Sequence, residues 1–340
     1  MSDASSRINP LKSPLRFRPL LKQTIWGGRQ LGTLLNKPIG DADDYAESWE
    51  IVDHGRDQSV VLGGPLEGRS LSSLIEEFDS ALLGGLAIGK PARDGFPLLL
   101  KYLDCNRVLS VQVHPDDAYG QTMQPPDLGK TEAWYIVSAT PGSRIYAGLQ
   151  QGVDREALAA AIDAGQTEQV LYSFEPSAGD VVFIPAGTVH ALGAGLVVAE
   201  IQQSSDTTFR LFDWNRTDAL GKSRPLHIDS ALAVTDYDRG PVQPRRSDPI
   251  ATGWQTLVSC DKFVLSAVHQ GTVTVAGQDR FQILTVPTGR ALLEGDHGQW
   301  QLETGDSILL PAIADEMELS VTGSDSNQPP VVLSAMLPVV

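Results

Sequence analysis

The segment Arg107-Val-Leu-Ser-Val-Gln-Val-His114 alternates apolar Leu109, Val111 and Val113 with polar Ser110, Gln112 and His114. Successive side chains of an extended chain point to opposite faces, so the three polar groups line one face at a spacing of about 7 Å. Pro115-Asp116-Asp117 stops the strand and leaves His114 at its mouth, where an imidazole can ligate a metal. A solvated strand face would account for this segment equally well. A second histidine follows in Gly179-x5-Pro185-x-Gly187-x2-His190. There the glycines let the backbone turn, the proline ends one strand, and His190 opens the next.

The spacing of this second segment is similar to the second motif of the cupin superfamily, except for Ala194, where many cupins carry Asn. Cupins are small jelly-roll barrels that hold a divalent metal on inward-facing His and Glu. Their usual first motif, His-x-His, is here Gln112-x-His114 followed by Glu132. That departure continues through Gly129-Lys130-Thr131-Glu132-Ala133-Trp134, Pro185-Ala-Gly-Thr-Val-His190-Ala-Leu192 and Gln203-Ser-Ser-Asp206-Thr-Thr-Phe-Arg210. Earlier segments join it: Trp26-Gly27-Gly28, Tyr45-Ala-Glu47-Ser-Trp49-Glu50 and Pro97-Leu-Leu-Leu-Lys101. Together these resemble class I mannose-6-phosphate isomerases, in particular the short bacterial form, over roughly residues 15 to 225. The C-terminal third matches in length and β character.

The resemblance implies an aldose–ketose isomerase that moves a proton between C1 and C2 of mannose 6-phosphate and fructose 6-phosphate through a cis-enediol. It implies one zinc ion per chain on His114, Glu132 and His190, with Gln112 a fourth ligand. Two imidazoles and a carboxylate with room for water or a substrate oxygen make an open site of the catalytic kind. The amide and carboxylate also admit harder ions such as manganese, cobalt or iron. Arg210 corresponds to the family's catalytic arginine; an ordinary salt bridge is its alternative. Glu200 shares a strand face with Val198 and Gln202, and Lys130 lies two residues before Glu132. Either can serve in proton transfer, and the residues do not choose between them. Lys101 and Ser110 match positions near the substrate. A protein of net negative charge must offer a phosphate a local positive pocket, and no P-loop continues from Gly27-Gly28. Trp26-Gly27-Gly28 is expected as a tight turn near the pocket, with Trp49 and Glu50 packing behind it. His54, His227, His269 and His297 fall outside any paired spacing and are assigned to surface or core.

These residues need a β frame. Thirty-two glycines and 22 prolines punctuate short runs rich in Val, Ile, Leu, Phe and Thr, the pattern of an antiparallel fold. Strands are expected at Arg107–His114, Glu132–Ser138, Asp180–Pro185, Leu196–Gln202, Phe263–His269, Phe281–Thr285 and Val331–Leu337. Helices interrupt them in the N-terminal half. Over Arg69–Gly84, Leu71, Leu74, Ile75, Phe78 and Leu82 make one apolar stripe. Over Asp154–Gly165, Asp154 caps the start, Ala157, Leu158, Ala161 and Ile162 form the apolar face, and Gly165 ends it. Gly179-Asp180…Pro185-Ala186 recurs as Gly305-Asp306…Pro311-Ala312, without the glycine and histidine that follow the first copy. The expected architecture is therefore mainly β: two cupin-like jelly-roll barrels. Residues 1–245 form the metal-binding catalytic domain and residues 246–340 a degenerate one, joined through the Gly/Asp/Pro-rich stretch Asp236–Thr252.

The chain of 340 residues has 26 Lys+Arg against 42 Asp+Glu, a formal net charge of −16, which disfavours a nucleic-acid partner. No apolar run approaches the ~18 residues of a membrane helix, and the N-terminus lacks the apolar core of a secretory signal. Cys105 and Cys260 lie far apart without metal or redox spacing and are expected as small buried hydrophobes in a reducing cytoplasm. No Gly-x-Ser-x-Gly elbow is present. The partner expected is a small sugar phosphate, and the chain a monomer or homodimer. Other readings are a regulatory cupin that binds a sugar phosphate without turnover, and another metal-cupin enzyme. Gln112 in place of the first histidine counts against an oxygenase.

Overall fold

The computed structural model describes residues 9–85, 95–217, 221–323 and 328–339. Four β layers stack in the order five-, seven-, seven- and four-stranded. All helices among the described residues precede residue 245, as expected of helical insertions in the N-terminal half.

The first seven-stranded sheet contains the strands Tyr45–Ile51, Leu98–Cys105, Glu132–Ala139, Asp180–Ile184 and Leu196–Gln203. Both of its faces are covered, so its central strands read as continuous apolar runs rather than alternating ones; every residue of Leu98–Cys105 and Leu196–Gln203 is buried. Leu100, Tyr102, Ala133, Tyr135, Ala199 and Ile201 pack backward on Leu265, Phe281, Ile283, Leu309 and Leu333 of the C-terminal half. Leu103, Cys105, Trp134, Ile136, Leu196 and Val198 face forward, against Ile145, Ala147 and Leu192 of the five-stranded sheet. The two-residue period that sends these side chains forward also sends Lys101, Glu132 and Glu200 into the space between the sheets. The register Glu200↔Lys101 and Glu200↔Trp134 holds them side by side.

The five-stranded sheet orders the strands Leu171–Phe174, Ile145–Leu149, His190–Leu192, Val111–Val113 and Phe209–Phe212. The expected strand over residues 107–114 is shorter than its alternation suggests, only Val111–Val113. Its neighbour offers few partners: the Leu109 N–H donates outside the ladder to the Leu192 carbonyl.

The expected helix over residues 69–84 breaks in two, Leu71–Phe78 and Ser80–Leu83, because Asp79 takes φ +38° between them. Helix Arg155–Asp163 is capped by Asp154, whose side chain accepts from Ala157 N. Leu158 and Ile162 are buried there, while Ala157 is exposed, so the apolar face is narrower than expected. Trp26-Gly27-Gly28 is no turn: it ends the strand Leu20–Gly28. Its glycines serve close approach, since a Cβ on Gly27 would lie 2.4 Å from the Asp44 carbonyl oxygen. Cys105 is buried as expected; Cys260 is half-buried and its thiol donates to the Phe263 carbonyl.

The two repeated Gly-Asp segments launch comparable strands, Asp180–Ile184 and Ser307–Leu310, each from a glycine of positive φ, +88° at Gly179 and +92° at Gly305. The chain also crosses between the halves. Strand Leu15–Arg18 joins the C-terminal seven-stranded sheet through Leu15↔Leu309 and Arg16↔Ile308. In the stretch Asp236–Thr252, strand Arg245–Arg246 pairs with Asp180 and Val181 of the N-terminal half.

Candidate metal centre

His114, Glu132 and His190 are each about 1% exposed, and their ligand atoms lie within 4.8 Å of one another. Among the described residues this is the one such cluster. His114 leaves the end of strand Val111–Val113, Glu132 begins Glu132–Ala139, and His190 begins His190–Leu192 directly opposite Gln112. The strand mouths expected from proline and glycine placement thus converge from both sheets.

Each imidazole is oriented by a main-chain carbonyl. His114 Nδ1 lies 2.9 Å from the Thr207 carbonyl oxygen, and His190 Nδ1 lies 2.9 Å from that of Thr188. A carbonyl fixes the proton on Nδ1 and turns the Nε2 lone pair inward, the arrangement that prepares a metal ligand. Nε2 of His114 is 3.5 Å from Glu132 Oε2, and Nε2 of His190 is 3.4 Å from Glu132 Oε1. Burial first, and the Lys130 charge next, hold His114 well below the usual imidazole range. Burial likewise lowers His190, to about 4.

The donor set fits a divalent ion. Glu132 Oε2 is buried and makes no hydrogen bond, although Lys130 Nζ stands at ion-pair distance, 3.2 Å. A carboxylate oxygen desolvated without a donor calls for a cation. Gln112 turns its amide nitrogen to His190 Nε2 at 3.3 Å and its oxygen toward the Ser110 hydroxyl at 3.4 Å. A half-turn of the amide plane presents Oε1 to the cluster and lets the nitrogen donate to Ser110.

Behind the cluster lies a chain of buried charges. Lys101 Nζ is 3.2 Å from Glu47 Oε2 and 3.3 Å from Glu200 Oε1, and Lys130 Nζ is 3.9 Å from the same Glu200 oxygen. Burial raises Glu200, and the Glu132 charge adds to it, so that even with Lys101 and Lys130 beside it the carboxyl is pushed up to about 7. Burial opposes the charge on Lys101, but Glu200 and Glu47 outweigh it and raise the ammonium above its usual range. Glu47 is also desolvated, yet Lys101 and the Trp49 indole hold it below the usual carboxylate range.

All nine residues singled out from the sequence are in this neighbourhood: His114 stands at the cluster, and the other eight line one cavity of about 370 Å³. Arg210, paired with Gln112 across the sheet, donates from Nε to Ser110 Oγ at 3.2 Å and from Nη1 to the Pro225 carbonyl at 3.0 Å. The sequence reading missed Glu47 and Arg224, which also line the cavity. Glu47 was legible, since it shares a strand face with Trp49, whose indole donates to it at 2.7 Å. Glu50 points the other way and pairs with Lys37 at 2.7 Å. Nothing local distinguished Arg224. Of the other histidines, His269 is buried and bonded to Ser247 and the Pro330 carbonyl, His297 pairs with Asp315, and His227 accepts from the Arg210 amide.

Residues 15–133 match the family model described as phosphomannose isomerase type I, catalytic domain, and residues 254–324 match the mannose-6-phosphate isomerase cupin domain. The first match contains Gln112, His114 and Glu132; His190 and Arg210 fall between the two. Mannose-6-phosphate isomerase ManA of Bacillus subtilis is 34% identical over 315 residues, covering 90% of this chain and 95% of the relative. The mannose-6-phosphate isomerase of Streptococcus mutans is 32% identical over 331 residues, covering 94% and 100%. The crystal structure of the Bacillus subtilis mannose 6-phosphate isomerase superposes with a TM-score of 0.81 at 30% identity, covering 95% of this chain and 99% of that one.

Proposed function

The chain belongs to the type I phosphomannose isomerase family and is an isomerase enzyme, and from that premise we propose that it interconverts mannose 6-phosphate and fructose 6-phosphate with zinc on His114, Glu132, His190 and Gln112. The observation that carries this reading is the buried His–Glu–His cluster opening into a cavity that also holds a carboxyl pushed up to about 7, Glu200.

The bound ion supplies Lewis-acid polarisation of the sugar oxygens. Glu200 is the base we assign to the proton moved between C1 and C2 through the cis-enediol. A base near the working pH gives the best compromise between being ionised and holding the proton, and Glu200 has that affinity because it is buried beside Glu132. Lys101 and Lys130 hold its charged form in place. Lys130 also contacts His114 Nε2 at 3.3 Å and Glu132 Oε2 at 3.2 Å, the atoms that would hold the ion, and Glu200 is its alternative partner. Arg210, fixed to Ser110, places a permanent cation beside the charge that develops on the substrate oxygens. Trp134 stands edge-on to His190 at 5.3 Å between centroids and lines the same cavity.

Residues 246–340 act as a buttress for the catalytic half, in our reading. The described residues hold the cluster in the first half alone, and the packing of Leu100 and Tyr102 on Phe281 and Leu309 stiffens the strands that carry Lys101 and Glu132. No helix among the described residues is long and apolar enough to cross a membrane.

The test is a coupled assay of metal-analysed protein with mannose 6-phosphate, repeated after chelation and after return of zinc. Fructose 6-phosphate formation that stops with the chelator and resumes with zinc is the expected result. A tightly bound metal without turnover would instead favour a sugar-phosphate-binding regulator.

A further inference from the structure

We propose that Arg224 is a specificity-determining residue that binds the phosphate of the substrate at the arginine-lined end of the cavity, aimed there by Asp213. This deepens the isomerase reading above and rests on it.

The two ends of the cavity differ in charge. At the end that carries the metal cluster, Lys101 and Lys130 meet Glu47, Glu132, Glu200 and Asp206. Four carboxylates against two ammonium groups are only brought to balance by a divalent cation, and both lysines are already engaged at 3.2–3.3 Å by carboxylates. That end has no surplus for a dianion. The other end has one. Arg210 and Arg224 line the wall, Arg216 stands behind them, and the one carboxylate among them is Asp213. Three guanidinium groups against one carboxylate leave an excess that matches a phosphate monoester, about −1.5 to −2 near neutral pH. The register sets the ends apart: His190 pairs with Gln112 and Gln112 with Arg210, two strand spacings, or about 10 Å.

Among the three arginines the structure assigns different duties. Arg216 spends its donors on the fold, with Nη1 on the Val108 carbonyl at 2.6 Å and Nε and Nη2 on Asp213. Arg224 binds Asp213 through Nε, at 2.7 Å, and Nη2. Its Nη1 makes no hydrogen bond among the described residues, and its side chain is 31% exposed against 6% for Asp213. A carboxylate that grips two of three nitrogens fixes the guanidinium plane and leaves the third free to donate, the fork geometry that favours arginine for phosphate. The segment is also tied to the catalytic strand: Arg210 Nη1 donates to the Pro225 carbonyl, and the His227 amide donates to the Arg210 carbonyl at 2.8 Å. Arg210 and Arg224 line the same cavity wall, where one anion can meet both guanidinium groups, and after burial the Arg224 charge is the next cause that lowers Arg210.

The experiment uses the zinc-loaded enzyme and its Arg224→Gln and Arg224→Lys variants, with KM and kcat for mannose 6-phosphate and calorimetric titration with inorganic phosphate. Arg224→Gln is expected to raise KM by about tenfold or more, leave kcat within about threefold, and weaken phosphate binding by a similar factor. Arg224→Lys should recover part of both. A folded Arg224→Gln enzyme with unchanged KM and unchanged phosphate affinity overturns the assignment. If wild-type protein binds phosphate but does not turn over mannose 6-phosphate, the isomerase reading fails by itself; the titration then still decides Arg224, supporting it if phosphate binding weakens in the variant and overturning it if not.

Discussion

Lys101 and Glu200 face one another across neighbouring strands, Nζ to Oε1 at 3.3 Å, and both are buried. A lone carboxyl at this depth would stay protonated far above neutrality. The ammonium beside it brings the carboxyl back to about 7, while Glu132 and the desolvation keep it from falling further. The pair therefore sets a proton affinity, and Glu47 on the far side of Lys101 keeps that ammonium charged.

The sign of the pH dependence follows. As the proposed base, Glu200 would work in its ionised form, which grows as pH rises through about 7; an ion on Glu132 would relieve part of the repulsion and move the midpoint to or below that value. We expect kcat/KM to climb with pH on the acid side and then flatten. Glu200→Gln should lose about 10²–10⁴-fold in kcat, and its residual rate should lack that limb. A variant retaining a tenth of wild-type kcat would remove Glu200 from the proton-transfer role.

Metal retention should depend on the cluster itself. Glu132→Gln or His190→Ala removes one of three converging donors, and elemental analysis after dialysis should show well under half of the wild-type zinc, with the fold retained by circular dichroism. Full occupancy in both would mean that the ion sits elsewhere.

The buried pair Lys37–Glu50, each side chain about 5–6% exposed, joins the strand Tyr45–Ile51 to the turn at Gly305, whose carbonyl accepts from Lys37 Nζ. Glu50→Ala leaves an ammonium without its counter-charge and should cost about 3–5 kcal/mol. The double variant Lys37→Met, Glu50→Leu should regain most of it. Denaturant titration reads both, and equal losses in the two would contradict the assignment.

At Gly27, a methyl group meets the Asp44 carbonyl at 2.4 Å and the Ala46 nitrogen at 2.6 Å, both backbone atoms that cannot step aside. Gly27→Ala should therefore lower stability by about 1–3 kcal/mol, seen as a drop in Tm. An unchanged Tm would show that the strand end yields freely.

The candidate metal centre was legible through the resemblance more than through local pattern. Gln112-x-His114 sits on an alternating strand and His190 follows a strand stopped by proline, features a solvated strand also shows, and only the likeness to the family's motifs joined them to Glu132. The strand over residues 107–114 was overextended, since alternation records which way side chains point and not whether the backbone finds partners. Trp26-Gly27-Gly28 was misread for a related reason: glycine marks either a turn or a close approach, and only the packed neighbour at Asp44 tells them apart. The break at Asp79 was hidden by an apolar stripe that continues on both sides of it. Arg224 carries no local signature at all; its meaning comes from Asp213 and Arg210, which reach it through the fold.

Strand Leu15–Arg18 pairs on one edge with Val60–Val61 and on the other with Ile308 and Leu309, nearly the whole chain away. During synthesis that second edge leaves the ribosome early and stays unpaired until the last third has emerged. The sheet that joins the two halves therefore closes only at the end of translation, and a product cut short before Ser307 lacks the strand on which Leu15 and Arg16 pair.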